Sequence, residues 1–430
     1  MRAKSIGKSL FISILNQVVS SGTNFLLGFY LVRILMPVEF GFYSIGFTIS
    51  LFYVGVGNAL FLTQMVVHVP DKRLEDRLSY MGRMLTIVAL FCLLTVLAIG
   101  LLLGFGGIYS DWLAQYLNLG FTIAAASAAY LIKEFFIRYA YTARKEVWAL
   151  KVNFVVAMAL VALLIIQRFV GITFHAETAL WLYTVSNTAG AITGFVLVRL
   201  PLRTIKYQQL IGDVREAWVG GSWATGSTVA YLFRAQAYII LTAGLIGPVG
   251  VAYLNASRLL VTPVIMLTPA LSQVFMPRLA AFRASNLHGF LWASSLFSAL
   301  LLAMAIIYSL WLLSFADIIT PMVFGQQYGY MYMYPLILVW CFVTGLLALR
   351  NSVEMVLQVL KQFRGLMLTN MLSAVVAVPA IVIFIYISGV QGAVDGFAFS
   401  ELATILGFFW LLYRDRGKLI KKKCEIGSIS

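Results

Sequence analysis

Residues 83–105 read RMLTIVALFCLLTVLAIGLLLGF, an apolar run that opens on Arg83 and follows Lys72, Arg73 and Arg77. At about 1.5 Å of helical rise per residue, it can cross the roughly 30 Å hydrocarbon layer of a bilayer. It is one of about twelve such runs, near 9–35, 41–67, 83–105, 119–141, 149–170, 177–199, 219–245, 249–276, 289–315, 332–349, 365–388 and 389–413. The basic residues keep to the N-terminus, to every second gap between runs, and to the tail. The gaps hold Arg138, Arg144, Lys145 and Lys151, then Arg199, Arg203, Lys206 and Arg215, then Arg278 and Arg283, then Arg350, Lys361 and Arg364. Only Arg33, Lys133, Arg168, Arg234 and Arg258 fall outside this alternation. Positive charge is retained on the cytoplasmic side of a membrane, so both termini are expected there. The pattern reads as an all-α, multi-pass protein of a bacterial inner (cytoplasmic) membrane, with about twelve transmembrane helices.

Composition points the same way. Hydrophobic residues make up 61% of the chain, against roughly 45–50% in soluble domains. With 11% charged residues there is no room for a sizeable soluble domain. A net charge of +15 raises the question of a nucleic-acid partner. Its confinement to short gaps assigns it to topology and to anionic membrane lipid instead, and no nucleic-acid partner is expected. The first run is too long for a signal-peptide core and carries Gln17, Asn24 and Gly28, so it is read as the first helix. Cys92, Cys341 and Cys424 suggest no disulfide framework, and His68, His175 and His288 have no ligand spacing. No Walker-type glycine loop, G-x-S-x-G elbow or paired carboxylates in a polar setting occur. Neither catalysis nor a cofactor is expected.

The gap from about 200 to 218 divides the runs into two sets of six, giving an N-terminal lobe over 1–210 and a C-terminal lobe over 211–430 with a basic tail. Both sets begin on one side of the membrane, as in parallel repeats. Pro37-Val38 before Gly41 and Tyr43 has a counterpart in Pro248-Val249 before Gly250 and Tyr253. The segment from Lys206 through Val214 to Trp218 suggests a helix lying on the membrane surface. The gap near 106–118, with Tyr109, Asp111 and Trp112, is too small for a folded outer domain.

Charged groups at mid-membrane are costly, by about 2.5–3.5 kcal/mol on insertion scales, and face a cavity or a partner. Arg234 lies in the middle of the seventh run, with Tyr231 and Tyr238 at helical spacing and no carboxylate in its own helix. It is too deep to reach the surface easily, and a functional role is favoured. Arg258, with Asn255 on its face, is shallower and reads equally as structural or functional. Tyr130, Lys133, Glu134, Arg138 and Tyr141 form a polar stripe on the fourth run. Lys133 and Glu134 either neutralise other helices or serve the cargo, and Arg138 can extend to the surface. Gln17, Ser21, Asn24 and Gly28 share a face of the first run, where Gln17 and Asn24 serve as interhelical hydrogen-bond partners or as cargo ligands. Glu401 and Asp395 lie in the last run, and a structural role is favoured for Glu401. Glu401→Gln, which keeps shape and hydrogen bonding, is then expected to leave most activity intact. Buried cations that outnumber carboxylates beside tyrosines suit an anionic cargo that stacks on aromatic rings and enters from the membrane. A phosphate-bearing glycolipid meets these conditions, and arginine engages two phosphate oxygens at once.

Several motifs fit one family. Leu35-Met36-Pro37-Val38-Glu39-Phe40-Gly41-Phe42-Tyr43-Ser44 is similar to the L-x-P-x-E-F-G-x-Y turn of Wzx-type O-antigen and polysaccharide flippases, and Gly55 and Gly57 follow it. These flippases belong to the multidrug/oligosaccharidyl-lipid/polysaccharide superfamily. Gly250-x-x-Tyr253-x-x-Ala256-x-Arg258, Pro277-x-Leu279, Phe324-Gly325-x-x-Tyr328, and Gly389-Val390-Gln391-Gly392-Ala393 with Ser400-Glu401 extend the resemblance along nearly the whole chain. It implies two six-helix lobes around a cationic cavity. It further implies alternating access, proton or sodium coupling, and transfer of undecaprenyl-pyrophosphate-linked oligosaccharide to the periplasmic leaflet. A polysaccharide polymerase and a chain-length regulator are the protein partners it implies. Arg234 is then the first candidate for the pyrophosphate or an acidic sugar, supported by Arg258, Lys133, Tyr231, Tyr238, Asn24 and Gln17. Glu401, Glu134 and Asp395 are candidates for coupling or for structural ion pairs.

Rival readings separate on particular features. A multidrug antiporter of the same superfamily is expected to carry carboxylates in its first helices, whereas the first two runs have none within their spans. A lipid II flippase is expected to have two further helices. A major facilitator is expected to have a long central loop, and the spacing of Asp76-Arg77 and Gly82-Arg83 does not match its signature. A polytopic glycosyltransferase or polymerase is expected to have a large outer loop.

Overall fold

A computed structural model of the chain describes residues 2–427 apart from 70–71, 110–116, 172, 199, 201–206, 286 and 361. The chain is helical throughout these residues. Its helices are α1 (Arg2–Ile34), α2 (Pro37–His68), α3 (Leu74–Tyr109), α4 (Leu117–Thr142), α5 (Glu146–Val170) and α6 (Ala176–Val198). They continue with α7 (Tyr207–Leu245), α8 (Pro248–Ser285), α9 (Leu287–Ser314), α10 (Ala316–Phe324), α11 (Tyr330–Val359) and α12 (Phe363–Gly427). Among the described residues, ten helices are long and apolar enough to cross a bilayer. The protein is a multi-pass membrane protein. α1, whose side chains through Leu10 lie outside the described residues, is not among the ten, and one of them, Arg364–Arg414, contains both of the last two apolar runs. Most of the gap near 106–118 lies outside the described residues.

Local sequence sets the breaks. Pro37 and Pro248 open α2 and α8, where a missing N–H costs nothing and the ring presets the helical φ. Gly247 precedes the second of these at φ +99°. The last two apolar runs meet at Ser388 (φ −133°) and Gly389 (φ +61°, ψ −131°), a backbone shape that glycine adopts without strain. The helix folds back there. A Cβ on Gly392 would lie 1.8 Å from the Phe384 carbonyl oxygen, one on Gly396 2.5 Å from Ile381 Cα, and one on Gly407 2.5 Å from Thr369 Cγ2. These contacts run in antiparallel register, so the two arms of α12 pack closely along their length. In α2 a π-helical turn, Asn58–Leu62, follows Gly57, where a Cβ would meet Leu131 of α4 at 2.6 Å.

The chain forms two compact units, Met1–Leu232 and Phe233–Ser430. In the first, α4 is central, packed on α2, α3, α5 and α6, and α1 packs on α5. In the second, α11 is central, packed on α8, α9 and α12. The boundary falls inside α7 and not in the preceding polar gap. The reason is electrostatic. Asp213 of α7 pairs with Arg83, and Glu216 pairs with Lys72 at 3.0 Å and lies 3.2 Å from His68, so the start of α7 is fastened to the first unit. The segment expected as a separate surface helix is therefore corrected: residues 207–245 form one continuous helix.

Candidate functional site

The second unit buries an arginine-rich cluster. Arg234, from α7, and Glu401, from the returning arm of α12, are each 1% exposed, and Arg234 Nη1 donates to Glu401 Oε1 at 2.5 Å. Arg350, from α11, lies with its Nε 3.3 Å from Glu401 Oε2. One carboxylate thus stands between two guanidiniums. Moving an ion out of water costs several kcal/mol even after relaxation, so Glu401 and its arginines are interdependent. One turn along α7 from Arg234, buried Tyr238 accepts a hydrogen bond from Arg258 Nη1 of α8 at 2.8 Å. Its ring packs on Phe397 at 4.9 Å and on Trp340 at 5.6 Å between centroids. Phe397 precedes Glu401 by one turn of α12, so each contact reinforces the other. The cluster holds three guanidiniums and one carboxylate, tied together by Tyr238.

The sequence left the carboxylate partner of Arg234 unassigned, because Glu401 comes from a helix distant in the chain. The alternation of basic gaps places Arg350 in a cytoplasmic loop. That is corrected: α11 runs on to Val359, so Arg350 is an interior helical residue, 8% exposed. Its place directly after the apolar run 332–349 was the available signal. Tyr231, expected to share the face of Arg234, is 47% exposed, while Tyr238 is 1% exposed. Asp395 is half-buried near the Gly389 turn and belongs to none of the ion pairs among the described residues.

In the first unit, Lys133 is buried on α4, with its Nζ 2.7 Å from Glu134 Oε1 and 4.3 Å from the centroid of the Tyr130 ring. The adjacent residues neutralise each other, which corrects the expectation that they neutralise other helices. Tyr130 packs edge-on against Tyr183 of α6, and Tyr183 does the same against Phe47 of α2. Arg138 is exposed at the end of the stripe. On α1, Gln17 donates to Ser21 of its own helix at 2.9 Å and Asn24 is half-buried. The interhelical asparagine is one the sequence reading missed. Asn16 Nδ2 donates to Tyr141 Oη at 2.9 Å and Asn16 Oδ1 accepts from Asn153 Nδ2 at 2.8 Å, joining α1, α4 and α5. Asn16 lies in helical register with buried Leu27 and Leu31, which was the legible signal. Glu39, within the resemblance motif, accepts the Ala176 backbone N–H at 2.7 Å and so caps α6. No group of three or more potential metal ligands occurs among the described residues.

No protein-family model and no curated protein matches the sequence. Solved structures do resemble it. Lipid II flippase MurJ in an inward closed conformation aligns with a TM-score of 0.72 at 11% identity, over 96% of this chain and 87% of that one. An inward-facing multidrug resistance MATE family transporter of the MOP superfamily gives 0.72 at 14% identity, over 94% and 96% of the two chains. A MOP superfamily transporter from Pyrococcus furiosus, described as having a binding pocket of reverse polarity, gives 0.59 at 14% identity, over 98% and 96%. The chain has the fold of these transporters.

Proposed function

We propose that this protein is a flippase that carries anionic, lipid-linked oligosaccharide between membrane leaflets for assembly of O-antigen or another surface polysaccharide. Its cargo is an undecaprenyl-pyrophosphate-linked repeat unit, moved by alternating access with a proton or sodium gradient. The observation that carries this reading is the charge of the second unit's interior, where Arg234 and Arg350 share one carboxylate, Glu401, and Arg258 bonds only to the neutral Tyr238 hydroxyl in the contacts seen among the described residues. The excess of positive charge suits an anion, and the buried Tyr238, Trp340 and Phe397 rings pack together beside it as a rigid support.

Our assignment of roles within this site differs from the sequence expectation. Arg234 is held by Glu401 and is fully buried, so it serves the cargo by keeping the cluster in place. Arg258 is half-buried, and its pairing with the Tyr238 hydroxyl is one a phosphate can replace with a stronger, charge-assisted bond. We therefore assign the first anion contact to Arg258. In the first unit Lys133 is already paired with Glu134 and stands second, with Tyr231, Gln17 and Asn24 as outlying contacts.

Export of surface glycan in cells that depend on this protein tests the assignment. Arg258→Ala should leave the protein at normal abundance and abolish export, and Arg258→Lys should restore part of it, because charge returns without the two-pronged geometry. Normal export by Arg258→Ala removes Arg258 from the cargo path. Loss of resistance to cationic drugs, with glycan export unchanged, would favour the multidrug reading.

A further inference from the structure

The two arms of α12 enclose a groove of about 640 Å³ on the surface of the second unit. Arg364 and Arg414 line one end. The arms are antiparallel, so these two exposed arginines lie at the same membrane face. Trp410 stands beside them, its ring 5.0 Å from the Arg414 guanidinium carbon. From there the lining turns apolar through Leu368 and Leu372 to Val376. Leu368, Leu372, Val376 and Trp410 are 47%, 68%, 40% and 59% exposed, so the groove is open along an apolar wall suited to hydrocarbon. Its floor is close-packed: a Cβ on Gly365 would meet Leu411 at 2.9 Å, and one on Gly407 would meet Thr369 at 2.5 Å.

The dimensions fit a single leaflet. The twelve steps from Arg364 to Val376 rise roughly 18 Å at about 1.5 Å each. One leaflet contributes roughly half of the 30 Å hydrocarbon core. A paired cationic end, an aromatic ring at headgroup depth and an apolar channel of leaflet length form a surface complementary to a lipid that is negatively charged at one end. Basic pockets between transmembrane helices hold such headgroups.

We propose that the α12 groove binds an anionic phospholipid, with its headgroup phosphate on Arg364 and Arg414 and an acyl chain along Leu368, Leu372 and Val376. This site is separate from the Arg234–Glu401–Arg350 cluster. It would fix the hairpin of α12 in the bilayer and make the protein sensitive to the charge of the surrounding lipid.

The test uses the full-length protein reconstituted in phosphatidylcholine vesicles containing a minor fraction of photoactivatable phosphatidylglycerol. Crosslinks are mapped by mass spectrometry. In the wild type they should concentrate in 364–376 and 403–414. With roughly fivefold attraction per charge near the surface, Arg364→Gln/Arg414→Gln should reduce them about thirtyfold, while Arg168→Gln, on the exposed face of α5, should not change them. Ala403→Trp fills the groove with both arginines intact and should also reduce labelling. Equal labelling of wild type and the double arginine variant overturns the proposal. So does equal labelling by photoactivatable phosphatidylcholine, or displacement of the phosphatidylglycerol label by polyprenyl phosphate, which would make the groove a seat for the cargo's tail. These outcomes are independent of glycan export, so they separate this site from the proposed transport function.

Discussion

Replacing Glu401 is the most discriminating perturbation of the buried cluster. Its two carboxylate oxygens face different guanidiniums, Oε1 toward Arg234 at 2.5 Å and Oε2 toward Arg350 at 3.3 Å, with Glu401 itself 1% exposed. Glu401→Leu leaves both arginines buried without their counter-charge. Breaking a buried pair from one side costs about 3–5 kcal/mol. At about 1.4 kcal/mol per decade, the folded-to-unfolded ratio should fall by a factor between about 140 and about 4,000. Glu401→Gln, expected from the sequence to leave most transport intact, still carries a stability cost in this geometry. An amide offers one acceptor oxygen, so its NH₂ group must face the other guanidinium. The loss should be about 1–3 kcal/mol. Fluorescence-detected size exclusion after a temperature ramp, in detergent, should rank the proteins wild type, then Gln, then Leu. Adding Arg350→Gln to Glu401→Gln should recover part of the loss, with a coupling of about 0.5–3 kcal/mol in the double-mutant cycle. Wild-type thermal stability of Glu401→Leu would refute the reasoning. Wild-type stability of Glu401→Gln together with lost export would make Glu401 a coupling site.

The α12 hairpin makes a second prediction: Gly392→Ala should cost about 3 kcal/mol, because its Cβ collides with the Phe384 carbonyl, whereas Gly244→Ala, with open space around it, should be neutral or slightly stabilising in the same melting assay. At the start of α7, Asp213→Ala should cost about 3 kcal/mol and expose α7 to limited proteolysis, since the Arg83–Asp213 pair is largely buried. Glu216→Ala, at a more exposed pair, should cost no more than about 1 kcal/mol. Reporter fusions after Pro248 and Gly389 should read periplasmic, and fusions after Arg144 and Arg416 cytoplasmic; reversal at any of them breaks the positive-inside reading.

The membrane class was legible because apolar length and the spacing of basic residues are properties of the chain itself. The turns at Pro37, Pro248 and Gly389 were legible for the same reason, since each depends on the conformational limits of one residue. Pairings between helices were not. Nothing local connects Arg234 to Glu401 or Asn16 to Asn153, so the sequence could mark these residues as costly without naming the group that satisfies them. Arg350 shows the reverse error: a single arginine at the end of an apolar run has the same appearance whether it meets headgroups or a buried carboxylate. Lys133 and Glu134, being adjacent, project in different directions from an ideal helix, yet their side chains are long enough to meet at 2.7 Å. Glu39 was legible as part of a motif, but its role in capping α6 required the fold.

The central claim is movement of an anionic lipid-linked sugar. It is tested most directly with purified protein in proteoliposomes loaded symmetrically with a polyprenyl-pyrophosphate-linked oligosaccharide. A membrane-impermeant oxidant is added outside under an imposed proton or sodium gradient, and the fraction of sugar oxidised is followed over time. Oxidation should pass the half expected for the outer leaflet in wild-type vesicles and stop at that half in protein-free and Arg258→Ala vesicles. Arrest at half in wild-type vesicles under both gradients, with the same protein accumulating a cationic dye, would contradict it.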